Sequence, residues 1–184
     1  LLEFLREEGV NTEFVKVIDG ATGHAIIQVT PDGENAIVTV GGANHRFSPA
    51  SADRALKNFN AGDYLLVHNE ISSVAEIIRL GSGKEMKVVF NPAPLTAETR
   101  DYPLELVDWI VMNEIEGEGL TGKSDPNDML ASIVKELPNA SVVLTRGARG
   151  AILANRAEKF SIPAIAVNAV DSTAAGDTFI GYFL

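Results

Sequence analysis

Cysteine is missing from all 184 residues. That excludes disulfides and thiolate metal sites, and it fits a reducing compartment, so a cytoplasmic location is expected. Long apolar runs are missing too: none approaches the ~18 residues of a membrane-spanning helix. Positive charge is scarce. Fifteen Lys and Arg stand against 25 Asp and Glu, a net charge of −10. Such a surface disfavours nucleic acid, so any phosphate the chain binds must be met by a local site. The amino end, Leu1-Leu2-Glu3-Phe4, has no initiator methionine, basic segment or cleavage site, and reads as neither a native start nor a signal peptide. What is present is ordinary for a globular protein: 46% hydrophobic and 22% charged residues, enough for one domain with a substantial core.

Periodicity predicts the tail of a helix over residues 1–8, stopped by Gly9. Strands are expected at 14–18, 25–29 and 36–40, the last two joined by a turn at Pro31-Asp32-Gly33-Glu34-Asn35, with Gly33 supplying a positive φ. From Ser48 the rhythm changes. Helices are expected over 50–58, 72–80 and 127–137, alternating with strands over 63–67, 87–90, 108–112 and 141–144. Short connections between alternating elements imply parallel strands with helices on both faces. In such sheets ligands gather beyond the carboxyl ends of the strands, so the residues just after each strand carry the functional information.

Near the carboxyl end, an extended apolar run over 163–170 leads into Asp171-Ser172-Thr173-Ala174-Ala175-Gly176-Asp177-Thr178-Phe179, and 179–184 reads as the opening turns of a helix. The N–H groups at a helix start point out of its end, so small residues there let an anion touch the backbone. Asp177 then has two uses open to it. It caps the helix, or it holds a hydroxyl as a base while backbone amides hold a phosphate.

This stretch resembles the carboxyl-terminal signature of the ribokinase family of sugar and nucleoside kinases, which usually reads D-T-x-G/A-A-G-D; Ser172 is a departure from it. Four further segments are similar to that family and together span nearly the whole chain. The first comprises Thr22-Gly23-His24-Ala25, Gly33-Glu34-Asn35-Ala36 and Gly41-Gly42-Ala43-Asn44, which resemble part of the lid over the sugar. The others are Asn91-Pro92-Ala93-Pro94, then Asn113-Glu114-Ile115-Glu116, similar to an N-x-x-E motif, and Thr145-Arg146-Gly147-Ala148-Arg149-Gly150, similar to a T-x-G-x-x-G turn.

The resemblance implies an α/β fold, a mostly parallel sheet flanked by helices on both faces with a small β lid. Residues 13–44 would belong to the lid, and 1–12 and 45–184 to a nucleotide- and sugar-binding core incomplete at both ends. It implies transfer of the ATP γ-phosphoryl to a sugar hydroxyl, D-ribose before a fructose-type sugar or a nucleoside. Asp177 would take the proton, and Ala174, Ala175 and Gly176 would hold the phosphate. Glu70 would accept from sugar hydroxyls, with His68 its neighbour. Asn113, Thr145, Gly147 and Gly150 would border ATP. Asn113 and Glu116 would place magnesium, and Asp171 and Thr173 would hold a monovalent cation, potassium. Asn91 would order its loop. His24 and His45 read as lid or surface residues, Glu114 and Glu118 as solvated acids. Arg146 and Arg149 are either surface charges or part of the turn's work. The lid sheet would pair two copies of the chain, since a bare hairpin edge needs covering. No nucleic-acid or membrane partner is expected. A non-catalytic sugar- or nucleotide-binding fragment is the alternative from another class, and a chain of this length alone would have little kinase activity.

Gly117-Glu118-Gly119-Leu120-Thr121-Gly122-Lys123-Ser124 also fits the P-loop pattern G-x-x-x-x-G-K-S. Three physical points stand against that reading. Four residues separate the preceding strand from Gly117, Glu118 would repel a polyphosphate, and Pro126 turns Asp125 away from helical angles. A helix ending at Gly122 and a new one starting at Asp125-Pro126 is the plainer expectation.

Overall fold

Six strands form the main sheet, and their order along it is their order in the chain. In the computed structural model, which describes residues 1–29, 35–168 and 173–184, these strands are β3 (Tyr64–His68), β4 (Lys87–Asn91), β5 (Trp109–Asn113), β6 (Ser141–Thr145), β7 (Ala151–Ala154) and β8 (Lys159–Ile162). The first four are parallel. β7 and β8 turn back antiparallel. Sequence alternation leads one to expect the parallel strands of a mostly parallel sheet. It misses this last pair because β7 and β8 are four residues each and β8 is exposed along its length.

Successive side chains on a strand point to opposite faces, and here both faces are covered. On the first face Val88, Phe90, Ile110, Met112, Val142 and Leu144 pack under α3 (Val74–Gly83) and α5 (Pro126–Glu136). α4 (Glu114–Thr121) lies on the same face, where Gly117 approaches Met129 and Leu144. On the second face Val89, Val111 and Val143 meet Ile180 of α6 (Ala175–Phe183), with Trp109, Phe179 and Phe183 around them. The strands therefore read as continuous apolar runs, as expected for a sheet flanked by helices on both sides.

The start of α5 has a local cause. Asp125 accepts from the N–H groups of Asn127 and Asp128 at 2.8 and 3.2 Å, and Pro126 opens α5 at a position that needs no donor. Gly122, at φ 68°, ends α4. The P-loop pattern thus falls inside a helix: Gly117 to Thr121 are helical, and Lys123 and Ser124 lie between α4 and α5. Ser124 donates to Glu118 at 2.6 Å.

The remaining elements are α1 (Leu2–Glu7), α2 (Pro49–Leu56) and an antiparallel hairpin, β1 (His24–Val29) with β2 (Asn35–Val40). The residues of its expected turn, 31–34, lie outside the described residues. The hairpin's base is tied to the sheet by a 3-10 turn over Gly42–Arg46, whose Asn44 carbonyl accepts from the Ser72 N–H at 3.1 Å. Residues 14–18 form no strand. Val15 and Val17 are exposed, and no strand pairs with the segment among the described residues. Residues 163–168 are likewise without regular structure.

Candidate active site

β3, β4, β5 and β6 end at His68, Asn91, Asn113 and Thr145, so their carboxyl ends form one rim. α6 comes to that rim from the second face of the sheet. Its apolar residues dock on Val89, Val111 and Val143, and its first turn carries Asp177 to His68, with Oδ1 3.8 Å from the imidazole Nε2. The Asp177 side chain is 70% exposed and faces solvent, not the apolar layer. Ala174, at φ 57°, breaks into the helix, and Ala174, Ala175 and Gly176 are all exposed. A Cβ at Gly176 would meet nothing within 4 Å, so the small residue leaves open space over the first turn. First-turn N–H groups have no acceptor inside a helix, so this end favours an anion.

Asn113 and Glu116 close a reciprocal capping box at the head of α4. The Asn113 N–H donates to Glu116 Oε2 at 2.9 Å, Asn113 Nδ2 to Oε1 at 3.0 Å, and the Glu116 N–H to Asn113 Oδ1 at 2.9 Å. Burial pushes the Glu116 carboxyl above its usual range, an effect only partly offset by the bonds from Asn113 and by His68 nearby. Among the described residues no three acidic or histidine side chains gather as a metal cage. Each Glu116 oxygen already accepts one hydrogen bond and keeps further lone-pair capacity. Were magnesium to bind here, Glu116 would have lone pairs left for the ion or for its water shell. Asp171 lies outside the described residues. Thr173 stands just ahead of α6.

Thr145 donates its hydroxyl to the Met112 carbonyl at 3.3 Å, so its one proton is committed within the sheet, and a phosphate would have to draw it away. The turn that follows is built by Gly147 (φ 53°) and Gly150 (φ 84°), with Arg146 N–H bonded to the Gly150 carbonyl at 2.8 Å. One expectation about charge needs correcting: Glu114 is not a solvated acid but a partly buried ion-pair partner. Of the two readings open for Arg146 and Arg149, their pairing with Glu114 favours a part in the turn. Arg149 Nη2 donates to Glu114 Oε2, and Arg146 Nε lies 3.7 Å from Oε1. They tie the β6–β7 turn to the head of α4. Beside this turn is an open cavity of about 510 Å³, lined by Arg146, Arg149, Lys159, Asp125, Asn127 and Ser161. Asp177, Glu70, Asn113 and Glu116 do not line it.

Glu70 is exposed on the turn after β3, two residues past His68. No hydrogen bond joins it to the other candidates among the described residues. The residue between them carries the structural weight there, and sequence reasoning passed over it. Asn69 is buried, donates to the Pro94 carbonyl at 2.6 Å and to Thr99 at 3.1 Å, and accepts from the Tyr102 hydroxyl at 2.9 Å. Asn91 does order its loop, donating to the Val111 carbonyl at 2.7 Å and accepting from the Ala93 N–H at 3.3 Å. The available signal for Asn69 was its place directly after a buried-type strand.

Comparison with known proteins finds relatives along the whole chain. The profile of the pfkB family carbohydrate kinases matches residues 1–184. A ribokinase of Mus musculus is 36% identical over 189 residues, covering 98% of this chain and 58% of its own length. A deoxyribokinase of Salmonella typhi is 33% identical over 186 residues, covering 97% and 61%. Among solved structures, ribokinase from Cryptococcus neoformans in complex with ADP superposes with a TM-score of 0.81 at 29% identity, covering 99% of this chain and 64% of that one. The chain thus spans about 60% of the length of the curated relatives it matches.

Proposed function

The chain belongs to the pfkB family of carbohydrate kinases, and from that premise we propose that it contributes the phosphoryl-transfer rim of an ATP-dependent sugar kinase. The acceptor is a sugar hydroxyl, the primary hydroxyl of D-ribose in the preferred reading, giving ribose 5-phosphate and ADP. A fructose-type sugar or a nucleoside is the alternative acceptor. The observation that supports this most is Asp177 on the first turn of α6, turned to the rim beside His68.

In the proposed reaction the hydroxyl proton passes to the Asp177 carboxylate as the sugar oxygen bonds to the γ-phosphorus. The bond from that phosphorus to the β–γ bridging oxygen breaks, and ADP leaves with the electron pair. A carboxylate is a weak base for an alcohol, but the transition state is loose and the proton leaves late, so placement and charge neutralisation do most of the work. The backbone amides of Ala174, Ala175 and Gly176 receive the γ-phosphate. Glu70 accepts from sugar hydroxyls. Gly147 and Gly150 keep the β6–β7 turn tight against the nucleotide, with Thr145 at its foot. What magnesium supplies when bound is neutralisation of polyphosphate charge, and Asn113 and Glu116 would hold its water shell. A potassium ion held by Asp171 and Thr173, a lid formed by residues 13–44, a homodimer paired through the β1–β2 hairpin and a cytoplasmic location belong to the same proposal. The hairpin's exposed Ile26, Ile27, Val38 and Val40 support the pairing.

Asp177→Asn should lower turnover by roughly 10²-fold or more, measured as ADP release with ATP, magnesium and a panel of sugars and nucleosides. Wild-type turnover in that variant would refute the assignment. The open setting of Asp177 favours a second reading, a sugar- or nucleotide-binding unit without catalysis, because phosphoryl transfer works best where water is excluded. Binding of ribose and ATP without ADP release from the purified chain would establish that second reading.

A further inference from the structure

His68 is the last residue of β3, and its side chain is about one-third exposed. The exposure is uneven. Nδ1 is cut off from solvent and has no hydrogen-bond partner among the described residues, whereas Nε2 faces Asp177 Oδ1 at 3.8 Å. A neutral imidazole carries its proton on one nitrogen or the other. On Nδ1 it would be a buried donor with no acceptor, the rarer and costlier kind of orphan. On Nε2 it points at a carboxylate, and Nδ1 is left as a lone pair. The geometry selects the second tautomer. The Asp177 side chain is 70% exposed, so no packed neighbour pins it in its present rotamer. Glu116 of α4 is a further charged group that acts on this imidazole. No cation competes for it in the contacts of the described residues.

We propose that His68 is a positioning residue, whose Nε2–H holds Oδ1 of Asp177 so that Oδ2 faces the attacking hydroxyl. This rests on the reading of Asp177 as the base. A carboxylate held by one oxygen keeps its second oxygen as the acceptor and loses the freedom to turn that oxygen toward water. The effect falls on the reaction step, because His68 fixes the base and does not touch the sugar.

The test compares wild type, His68→Leu, His68→Gln and Asp177→Asn. His68→Leu should lower kcat about tenfold, the scale of one lost hydrogen bond to a charged group. The KM values for sugar and ATP should stay within about twofold. Gln places an amide donor near the position of Nε2, so His68→Gln should recover most of kcat. A lesion that merely disturbed the fold would not be rescued in this way. Imidazole nitrogen NMR adds a readout independent of turnover: Nε2 should carry the proton, and its resonance should move in Asp177→Asn. Unchanged kcat in His68→Leu, equal loss in His68→Gln, or a proton on Nδ1 would each overturn the proposal. If wild type transfers no phosphoryl group while the Asp177-dependent Nε2 signal is present, the contact stands, the effect of His68 on a reaction step is overturned for this chain, and the reading of a binding unit without catalysis takes its place. If wild type turns over and His68→Leu matches it, the base stands and the positioning role falls.

Discussion

Glu116 shows how one carboxylate can hold a loop together and still be costly to ionise. It is 8% exposed, and desolvation outweighs the two bonds from Asn113 and the nearby imidazole, so its folded pKa lies above the ordinary glutamate value. A raised acid holds its proton longer in the folded state than in the unfolded chain. Its contribution to stability is therefore fully present below the unfolded pKa. It is lost as pH rises across the window from that value to the raised folded one, and it is flat above. Gln at this position is neutral throughout. We expect the stability of wild type minus that of Glu116→Gln to fall across this window and then level off, measured by urea unfolding from about pH 4 to about pH 8. A difference independent of pH would show that burial does not govern this carboxyl. The positions of the candidate residues followed from the sequence: Asn113 caps α4 with Glu116 in its first turn, Asp177 lies in the first turn of α6, and Glu70 stands just after β3. What was not legible was which of their atoms are already engaged. The pairing of Glu114 with Arg146 and Arg149 joins residues 32 and 35 positions apart, and the network around Asn69 reaches as far as Tyr102. No local pattern encodes such distances.

Elements were easier to read where covered faces impose periodicity and harder where a strand is short or stands alone. The four parallel strands, α5 and the break at Gly122 follow from continuous apolar runs, a capped Asp-Pro start and a glycine stop. Residues 14–18 carry strand-like residues, but a strand is stabilised by its neighbour and none pairs with it among the described residues. The reverse error concerned the end of the sheet, where β7 and β8 hang on one turn. Gly150 is the hinge of that turn. Its φ of 84° with ψ of −143° belongs to glycine, and a Cβ there would sit 2.0 Å from the Ile162 carbonyl oxygen and 2.7 Å from the Ala164 nitrogen. Both obstacles are backbone and cannot rotate aside. Gly150→Ala should cost at least about 2 kcal/mol in chemical denaturation, since backbone strain and a clash combine. The same change should loosen the path from β8 toward α6. Gly147→Ala, with nothing within 4 Å of the added methyl, should cost less despite its positive φ. Equal costs at the two positions would mean that the approach of the 162–164 backbone does not matter.

At the scale of the whole molecule the two faces of the sheet do different jobs. The first face holds most of the buried apolar residues, packed under α3, α4 and α5. The second face has a small core of Val89, Val111, Val143 and Ile180, with α6 across it. That helix carries Asp177, so placement of the proposed base depends on the lesser of the two cores. Ile180 is its central contact, 3% exposed, and the aromatic rings of Phe183 and Trp109 meet edge to face at 5.2 Å beside it. Truncating such a residue removes its transfer energy and leaves a cavity, about 2–4 kcal/mol in all. Against a net charge of −10, no long-range attraction brings a polyphosphate to the rim once the α6 amides have swung away. We therefore expect Ile180→Ala to lose phosphoryl transfer at temperatures where far-ultraviolet circular dichroism still reports an intact sheet and first-face helices. Asp177→Asn should lose transfer without any change in melting. Ile180→Ala with a lowered melting temperature but wild-type kcat would mean that Asp177 holds its place without the docking of α6, and the division of labour between the faces would have to be abandoned.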